Sequence, residues 1–455
     1  MIPVDKNKEY EVLIESVSGD GNGIAHIGGF AVFVPMCAAG DRLRIKIVKV
    51  KEHYAFARIE EIISPSEFRI EPECPHYKLC GGCNLMHIDY NAQLQIKLDT
   101  VRNALTRIGG VNGNIAAEIA GMENAEGYRN KMVFPAGMIN GEIQFGFYRS
   151  RSHDLVPVNK CFISDAISES ILVAVKKYME ISHTSVYDEK TKKGSVRRVF
   201  IRKGFSSGEI MVVICAANKK LKEKELLIKL LREVSGNICS IMLNIHTNPD
   251  NLILGEKNIL LWGKEYIEDI LCGLKYKISP HSFFQVNPVQ TEILYNTVIQ
   301  TAELNGNEKL LDVYCGIGTM SVMSAKYVKE VVGVEIVEQA VKDAEENAKI
   351  NKTDNCRFIA GKAENVVPAL MQSGFSPDVA IIDPPRKGCD TSTLNALISS
   401  SAEKIIYVSC NPSTLARDIK YFCINGFVLR SAKAVDMFPN TTHVEVVVLL
   451  CRSNT

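Results

Sequence analysis

The C-terminal part of the chain alternates between short apolar runs and helix-like segments, and this pattern restricts the fold more than any other feature. The alternation begins at Pro288 and continues almost to the end of the sequence. Its strand-like runs are residues 310–314, 330–334, 356–359, 379–382, 405–408 and 445–450. Apolar strands separated by helices are typical of a mostly parallel, doubly wound α/β sheet. Such sheets bind ligands beyond the carboxyl ends of their strands, so the residues at those ends are the first candidates for a site.

The first sixty residues predict a different architecture, built from about five short strands and glycine-rich turns. From 42 to 47 the chain alternates without a break, which predicts a strand with Leu43, Ile45 and Ile47 facing a core. The cations of the opposite face are Arg42, Arg44 and Lys46. They would contact RNA phosphates or simply be solvated. Short, numerous strands favour a small closed β-barrel of the oligonucleotide-binding kind.

The residues between these two regions predict a separate α+β domain. Residues 90–108 have the apolar spacing of an amphipathic helix, and strands dominate from 127 to about 279. Residues 187–203 hold seven Lys or Arg against two acids, which predicts either a phosphate-facing patch or a charged hairpin. We therefore expect three units: a barrel over 1–61, a central α+β domain over 62–280, and an α/β domain over 281–455, with the 90–108 helix packing on the last.

Charge and hydropathy restrict the partners and the compartment. Fifty-three Lys and Arg against 52 Asp and Glu leave a net charge of +1, so any nucleic-acid surface must be a local patch. No apolar run approaches the roughly 18 residues of a membrane helix. Most of the 14 cysteines lie singly in apolar segments, as is typical of a reducing compartment. We expect a soluble, cytoplasmic protein without membrane association.

A glycine-rich turn follows the first strand of the α/β region. Gly316 and Gly318 would let the backbone approach a ligand closely. The next predicted strand ends in Glu335, where a carboxylate can accept both hydroxyls of a ribose. Two glycines instead of the three of a dinucleotide fingerprint favour adenosine without phosphates, which points to S-adenosylmethionine. A plain helix N-terminal acid is the alternative interpretation of Glu335.

Three more segments place chemistry-bearing residues at the same predicted edge. Asp383 opens the sequence Asp383-Pro-Pro-Arg-Lys-Gly388, whose prolines stiffen the loop; a rigid turn without function is the alternative. Cys410 lies just past a strand, where a thiolate could add to an electron-poor ring carbon. Glu445 begins an apolar strand, and burial there would raise its pKa towards that of a general base. Taken singly, the cysteine and the glutamate are more often structural residues.

Together these segments resemble the family of RNA uracil-5-methyltransferases. The matching motifs are Ser282-Phe-Phe-Gln-Val-Asn287, Asp312-Val-Tyr-Cys-Gly316, Asp383-Pro-Pro-Arg-Lys-Gly388, Ser409-Cys-Asn-Pro412 and His443-Val-Glu445. The resemblance implies that Gln285, Tyr314, Glu335 and Asp383 contact the methyl donor, and that Cys410 and Glu445 act as nucleophile and proton acceptor. Some members carry Asn where this chain has Thr319. The N-terminal barrel is similar to the RNA-binding TRAM domain of these enzymes.

The cysteines 74, 80 and 83 are similar to those of the ribosomal-RNA branch of the family. In that branch Cys-x5-Cys-x2-Cys and a distant fourth cysteine hold a [4Fe–4S] cluster, and the matching residues here are Cys74, Cys80, Cys83 and Cys161. A zinc knuckle is the physical alternative. Radical enzymes typically use Cys-x3-Cys-x2-Cys with three ligands, so this spacing opposes radical chemistry. We expect the cluster to be structural.

The resemblance implies S-adenosylmethionine-dependent methylation of uridine C5 in RNA, with 23S ribosomal RNA as the expected substrate, through a covalent adduct of Cys410 with C6. The target base must leave any stack to reach the cleft, which favours single-stranded or looped RNA. We expect a monomer. Transfer RNA as the substrate is one alternative, and a non-catalytic RNA-binding or assembly factor is another. The sequence does not identify the target uridine.

Overall fold

Alternation in the first sixty residues produces a curved six-stranded sheet in the computed structural model, which describes residues 2–111, 115–150, 152–248, 250 and 252–453. The strands are β1 (Glu9–Leu13), β2 (Ser16–Val17), β3 (Asn22–Ile27), β4 (Phe30–Pro35), β5 (Arg42–Val50) and β6 (Tyr54–Ser64), in the order β1-β5-β6-β4-β3-β2. Just after β1, the Glu15 amide donates to the Ile24 carbonyl of β3 at 2.8 Å, which draws the two ends of the sheet together. The inward side chains include Val32, Val34, Leu43, Ile45 and Ile47, all buried as period-two alternation predicts.

A helix and a short strand follow the barrel and the cysteine segment. They are α1 (Tyr90–Arg107) and β7 (Ala116–Ala120). The carboxylate of Asp89 accepts amide hydrogen bonds from the first turn of α1 and so fixes where the helix begins. Neither element joins the central domain, because both pack on the C-terminal sheet described below.

The central domain is a seven-stranded sheet with two helices. In chain order its elements are β8 (Lys131–Ile139), β9 (Glu142–Tyr148), β10 (Leu155–Pro157), α2 (Ile167–Ile181), β11 (Val196–Lys203), β12 (Ile210–Ala216), α3 (Lys224–Val234), β13 (Ile238–Ile245) and β14 (Lys257–Gly263). The strand order is β10-β9-β8-β11-β12-β13-β14. Apolar residues of α2 and α3 pack with this sheet in one cluster. A hairpin, β15 (Ile267–Leu271) and β16 (Leu274–Ile278), leads to the last domain.

The C-terminal sheet has eight strands. Its elements are α4 (Pro288–Ala302), β17 (Lys309–Val313), α5 (Thr319–Ser324), β18 (Glu330–Glu335), α6 (Glu338–Ile350), β19 (Cys356–Ala360), α7 (Ala363–Gln372), β20 (Val379–Ile382), α8 (Thr391–Ser399), β21 (Lys404–Ser409), α9 (Pro412–Ile424), β22 (Phe427–Val435) and β23 (Glu445–Arg452). The order is β19-β18-β17-β20-β21-β23-β22-β7. β23 runs antiparallel to both of its neighbours, and β7 pairs parallel to β22. This is the mostly parallel sheet that the alternation predicts.

Two apolar layers cover this sheet. Leu98, Val101 and Leu105 of α1 are buried with residues of α7, α8 and α9 on one face. On the other face, α4, α5 and α6 share a cluster with the 267–278 hairpin and with β12 of the central domain. The C-terminal unit is therefore built from two stretches of chain, because α1 and β7 come from the segment predicted as 62–280. Among the described residues, none of the helices has both the length and the hydropathy needed to cross a membrane.

Candidate active site

Four neighbouring strand ends meet at one edge of the C-terminal sheet. Strands β18, β17, β20 and β21 are parallel and adjacent, so their carboxyl ends lie side by side. Glu335 ends β18, Tyr314 follows β17, and Asp383 follows β20. Three of the residues predicted to contact a methyl donor are therefore brought to one edge by strand order alone.

Cys410 and Glu445 reach the same edge from opposite chain directions. Cys410 follows the carboxyl end of β21. Strand β23 is antiparallel to β21, with Val446 opposite Ser409, so the first residue of β23 lies beside the last residue of β21. That first residue is Glu445, which is only 4% exposed, while Cys410 is half-buried. The structure thus places the predicted nucleophile and the predicted proton acceptor next to each other.

A small cavity of about 40 Å³ opens at this edge. It is lined by Phe283, Tyr295, Asp312, Tyr314, Cys315, Gly316, Ile317, Thr319, Met320, Ile381, Asp383 and Val408. A volume of this size holds a water or two, so a nucleoside would extend past the cavity over the glycine turn. Glu335 reaches the rim, because its carboxylate accepts from the amides of Gly316 at 3.1 Å and Val337 at 2.9 Å.

Of the four predicted donor contacts, Tyr314 and Asp383 line the cavity, whereas Glu335 at the rim and Gln285 are not part of the lining. The Gln285 side chain is buried, and its backbone carbonyl accepts from Asn130 Nδ2 at 2.9 Å, which ties the segment before α4 to the central domain. Thr319, the position where the chain departs from some relatives, does line the cavity. Its hydroxyl and that of Tyr295 are hydrogen-bonded at 2.8 Å.

The turn after β17 is held in a left-handed conformation at three of five residues. Gly316 and Gly318 have φ of 55° and 76°, and Tyr314 has φ of 70° although it carries a side chain. A Cβ on Gly318 would lie 3.0 Å from Ala344 Cβ, so packing as well as backbone conformation requires glycine there. Only Tyr314 is strained by this conformation, since glycine adopts it freely; such strain costs about 1–3 kcal/mol for a non-glycine residue and is concentrated at functional sites.

Acidic groups dominate the charge of the cavity. Burial raises the pKa of Asp312 to about 6, although a hydrogen bond from Ser321 Oγ at 2.5 Å opposes the rise. Burial also raises the pKa of Asp383 to about 7, and the charge of Asp312 adds to the effect. Carboxyl groups whose ionised forms are destabilised in this way favour a ligand that brings positive charge. The sulfonium of S-adenosylmethionine is such a charge.

The same electrostatics acts on the catalytic candidates. Burial raises the pKa of the Cys410 thiol to about 11, with further contributions from Glu445 and Asp383. Burial and Asp383 raise the pKa of Glu445 well above its usual range. Arg386 is the cation that opposes both shifts. Both shifts favour the protonated form of the group.

Arg386 is a further residue of this site that the sequence did not single out. The Arg386 carbonyl accepts from Asn411 Nδ2 at 3.0 Å, and its guanidinium lies 3.5 Å from His443 Nε2. Burial and the nearby cations Arg386 and Lys97 lower the pKa of His443, so its imidazole is neutral. The signal in the sequence was the spacing, since Arg386 lies three residues after Asp383 in the stiff loop.

The four cysteines of the predicted cluster line one cavity, although 78 residues separate the last two in the sequence. The cavity measures about 110 Å³ and also contains Arg129 in its wall. Its cysteines are Cys74, Cys80, Cys83 and Cys161. Among the described residues, no three His, Cys, Asp or Glu side chains have the arrangement of a formed metal site. The [4Fe–4S] cluster therefore stays a prediction.

The predicted basic face of the barrel is largely neutralised. Arg44 lies between Glu11 at 3.3 Å and Glu61 at 2.6 Å. Lys46 lies 3.9 Å from Glu9. These acids come from β1 and β6, the strands on either side of β5, so the alternation within β5 alone could not reveal them. Because nearby acids neutralise these cations, the face has little net positive charge with which to attract a phosphate.

The 187–203 segment is also less available than its composition suggests. Arg202 is buried and donates to the carbonyls of Ser279 and Ser282, and Arg197 is buried and paired with Glu189 at 2.9 Å. Three exposed lysines remain at the tip of this hairpin, namely Lys190, Lys192 and Lys193. A charged hairpin, one of the two predicted alternatives, describes most of this segment.

Three aromatic rings form a cluster on the outer face of the barrel, which the sequence analysis did not identify. Phe33, Tyr54 and Phe56 have ring centroids 5.5–5.9 Å apart. Their neighbours along the strands, such as Val32 and Ala55, point inward and are buried. Lys49, which pairs with Phe56 across β5 and β6, and Lys51 are exposed beside the rings. Among the described residues neither lysine has an acidic partner within 4 Å.

Comparison with known protein families gives two matches. The family model described as tRNA (uracil-5-)-methyltransferase matches residues 206–453. The TRAM domain model matches residues 3–59, which cover most of the barrel.

Similar proteins span the whole chain. An uncharacterized RNA methyltransferase of Clostridium tetani is 42% identical over 99% of this chain and 97% of its own length. One from Listeria monocytogenes serotype 4b is 41% identical over 98% of each chain. The crystal structure of Pyrococcus abyssi tRNA (uracil-54, C5)-methyltransferase in complex with S-adenosyl-L-homocysteine superposes with a TM-score of 0.77 at 27% identity, covering 97% of this chain and 100% of that one.

Proposed function

The chain belongs to the uracil-5 RNA methyltransferase family and carries that family's TRAM domain, and on this premise we propose that it methylates C5 of uridine in 23S ribosomal RNA through a covalent adduct. The observation that carries the proposal is the adjacency of Cys410 and Glu445 at the edge where the donor cavity opens. Methylation at C5 needs a nucleophile that adds to C6 of the uracil and a base that removes the proton from C5. The edge supplies one group for each of these roles.

The chemistry balances with these two residues. The Cys410 thiol gives its proton to solvent, the thiolate adds to C6 of the uracil, and the C5–C6 π electrons move onto the C4 carbonyl oxygen to form an enolate. C5 then attacks the methyl group of S-adenosylmethionine, and S-adenosylhomocysteine leaves with the electron pair of the broken S–C bond. Glu445 removes the proton from C5, the C5–C6 double bond reforms, and the bond from sulfur to C6 breaks. The target base must be flipped out of any stack to reach this edge.

We assign the donor to the cavity lined by Tyr314 and Asp383, with Glu335 at its rim. Glu335 already accepts two amide hydrogen bonds, which fixes its carboxylate for a ribose. Gln285 would contact the donor only from outside the present lining, so its part in binding is the least supported of the four. The related P. abyssi structure holds S-adenosyl-L-homocysteine.

Donor binding would also prepare the nucleophile. A thiol whose pKa is about 11 is almost wholly protonated at neutral pH and does not add to C6 at a useful rate. Burial is the main cause of the rise, and the carboxylates of Glu445 and Asp383 add to it, so a sulfonium bound beside them would offset their part and lower the pKa of Cys410. The proposed order is therefore donor first, thiolate second, because the bound donor favours the thiolate.

The cysteine cavity suits a metal cluster in its donor set. Its wall offers four sulfurs and the cation Arg129, whose buried Nε has no hydrogen-bond partner in the described structure. Cys74, Cys80, Cys83 and Cys161 would hold a [4Fe–4S] centre, with zinc as the alternative metal. The bound group would cross-link the cysteine segment to the central domain and take no part in electron transfer.

The barrel and the central domain would hold the RNA. The protein would act as a monomer in the cytoplasm. Transfer RNA is the second candidate substrate, favoured by the activity in the name of the P. abyssi relative. The cysteine set favours ribosomal RNA, because it is what resembles the ribosomal-RNA branch. A non-catalytic factor would not need Cys410 and Glu445 side by side.

The decisive experiment compares purified wild type with Cys410→Ala in methyl transfer from labelled donor to 23S and transfer RNA transcripts. We expect labelled 5-methyluridine in the 23S transcript with wild type and none with Cys410→Ala, while both proteins bind S-adenosylhomocysteine equally. Mass spectrometry of RNA from cells lacking the protein identifies the uridine. Substantial activity of Cys410→Ala would contradict the adduct mechanism, and label confined to transfer RNA would contradict the ribosomal assignment.

A further inference from the structure

The 436–444 loop joins β22 to β23 and leads directly to Glu445 at the strand edge. Residues that lie outside the 281–455 segment hold this loop in place. The centre of this loop is Asn440, which has a left-handed φ of 67°. Its amide donates to Gln93 Oε1 at 3.0 Å, and Gln93 Nε2 returns a hydrogen bond to Asn440 Oδ1 at 3.2 Å. The Asn440 carbonyl accepts from the amides of Asn84 and Leu85, each at 3.0 Å. Such complete pairing supports a backbone conformation that a non-glycine residue rarely adopts.

The beginning of the 436–444 loop is fixed by a buried ion pair. Asp436 pairs with Lys97 of α1, and both side chains are fully buried. Lys97 Nζ also donates to the Phe438 carbonyl at 3.0 Å, and Tyr90 donates to Asp436 Oδ2 at 2.9 Å. Breaking a buried pair leaves an uncompensated charge, so this anchor resists movement. This ion pair does not fix the other end of the loop, next to Glu445, which therefore needs a second anchor.

That other anchor is the side chain of Asn84. Its Oδ1 accepts from the Thr442 amide at 3.0 Å, and its Nδ2 lies 3.4 Å from Thr442 Oγ1. The barrel closes over the same contact, because a Cβ on Gly21 would lie 3.1 Å from Thr442 Cγ2 and 3.2 Å from Asn84 Nδ2. Barrel, cysteine segment and catalytic loop therefore meet at one asparagine, which directly follows Cys83 in the chain.

We infer that Asn84 is a positioning residue for Glu445, tying the cysteine segment to the loop that carries the proton acceptor. The inference rests on the proposed function, since it assigns Asn84 to the proton-removal step. A general base works only within hydrogen-bond reach of its proton, and small displacements of positioned groups are costly in rate. Order in the cysteine segment is thereby transmitted to the step that releases the product.

The test compares Asn84→Ala, Asn84→Asp and the control Asn91→Ala. Asn84→Ala removes both side-chain contacts with Thr442, whereas Asn84→Asp keeps an acceptor for the Thr442 amide. Asn91 is exposed on α1 one helical turn before Gln95 and has no side-chain hydrogen bond to the loop in the described structure. We expect Asn84→Ala to lower kcat about tenfold, which is about 1.4 kcal/mol. The covalent RNA–protein adduct should accumulate on denaturing gels, with KM for RNA lowered together with kcat, so that kcat/KM and the affinity for S-adenosylhomocysteine stay unchanged.

Asn84→Asp should restore most of the turnover, and Asn91→Ala should match wild type. Equal turnover and equal adduct in Asn84→Ala and wild type would overturn the inference alone. Parallel losses of donor affinity, melting temperature and turnover in Asn84→Ala would show a merely structural residue and overturn it too. A wild type that forms neither product nor adduct would overturn the proposed function, and the inference with it.

Discussion

At the scale of single residues, the common feature of the site is that several of its acidic groups have raised pKa values. Burial raises the pKa of both Cys410 and Glu445, nearby carboxyl groups add to the rise, and Arg386 opposes it. The sequence predicted where these two residues would lie, because a strand end is visible in the pattern of apolar residues. The rise in the pKa of Glu445 was predicted from its burial, whereas the contribution of Asp383 to both shifts could not be, since it follows a separate strand.

The first residue-scale prediction separates the roles of the catalytic pair. Glu445→Gln still allows addition of Cys410 to C6 and methyl transfer, but the C5 proton stays and elimination stalls. A general-base step is typically worth about 10²–10⁴-fold in rate, so the methylated adduct should accumulate. Denaturing gels should show an RNA–protein band for Glu445→Gln and none for Cys410→Ala. Rapid release of product by Glu445→Gln would assign proton removal to another group.

The second residue-scale prediction concerns the Cys410 thiol itself. Its alkylation by iodoacetamide, followed by mass spectrometry of the Cys410 peptide, should be slow at pH 7 and accelerate as the pH rises towards about 11. S-adenosylmethionine should accelerate alkylation at pH 7 about tenfold, because its positive charge lowers the pKa of the thiol. S-adenosylhomocysteine is the matched control, since it fills the same space without the charge. Equal effects of the two ligands would contradict donor-induced activation.

At the scale of elements, the barrel shows what alternation reveals and what it hides. The inward residues of β5 were predicted correctly, because period two fixes which side chains face the core. The outward charges of β5 are matched by acids on its neighbours, so the RNA-binding role predicted for that face loses support. The aromatic cluster of exposed Tyr54 and half-buried Phe33 and Phe56, with Lys49 and Lys51, has the composition of a stacking platform for unpaired bases.

The element-scale prediction follows from this contrast. Tyr54→Ala should weaken binding of single-stranded RNA about tenfold, in line with the ~1–3 kcal/mol of one stacked base, while donor affinity stays unchanged. Replacing Lys49 and Lys51 by Gln should reduce the salt dependence of binding by about two phosphate contacts. The control is the pair Arg44→Gln and Lys46→Gln, which should have little effect. These effects are measured by binding titrations at several salt concentrations. A larger loss of binding in the Arg44 and Lys46 variants than in the others would place the RNA on the β5 face.

Some of the other strands and helices were predicted from the sequence and some were missed, and the difference has a physical reason. Strands of the C-terminal sheet such as β20 and β21 are buried on both faces, so they form continuous apolar runs that stand out in the sequence. Strand β22 alternates buried and exposed residues, and α3 is a short amphipathic helix; both were missed. The pairing of β7 with β22 could not be predicted, because nothing local in either strand specifies so distant a partner.

At the scale of the whole molecule, the cysteine cavity joins two segments that are far apart in the chain. Cys74, Cys80 and Cys83 come from the segment after the barrel, and Cys161 from the loop after β10. Anaerobically purified protein should therefore be brown and contain about four irons per chain. Cys161→Ser should lose the colour while Cys239→Ser, outside the cavity, keeps it. Stoichiometric zinc in colourless protein would identify the metal as zinc instead.

The edge strand β7 has a consequence for how the protein is made. It leaves the ribosome long before its partner β22, with the entire central domain translated in between. The catalytic sheet can be completed only near the end of synthesis, and closing so long a loop is slow. The central domain, whose own sheet pairs locally, is free to form first. Translation thus allows the parts proposed to hold RNA to form before the part proposed to transfer the methyl group, and a fragment that starts at residue 281 would lack both α1 and an edge of its sheet.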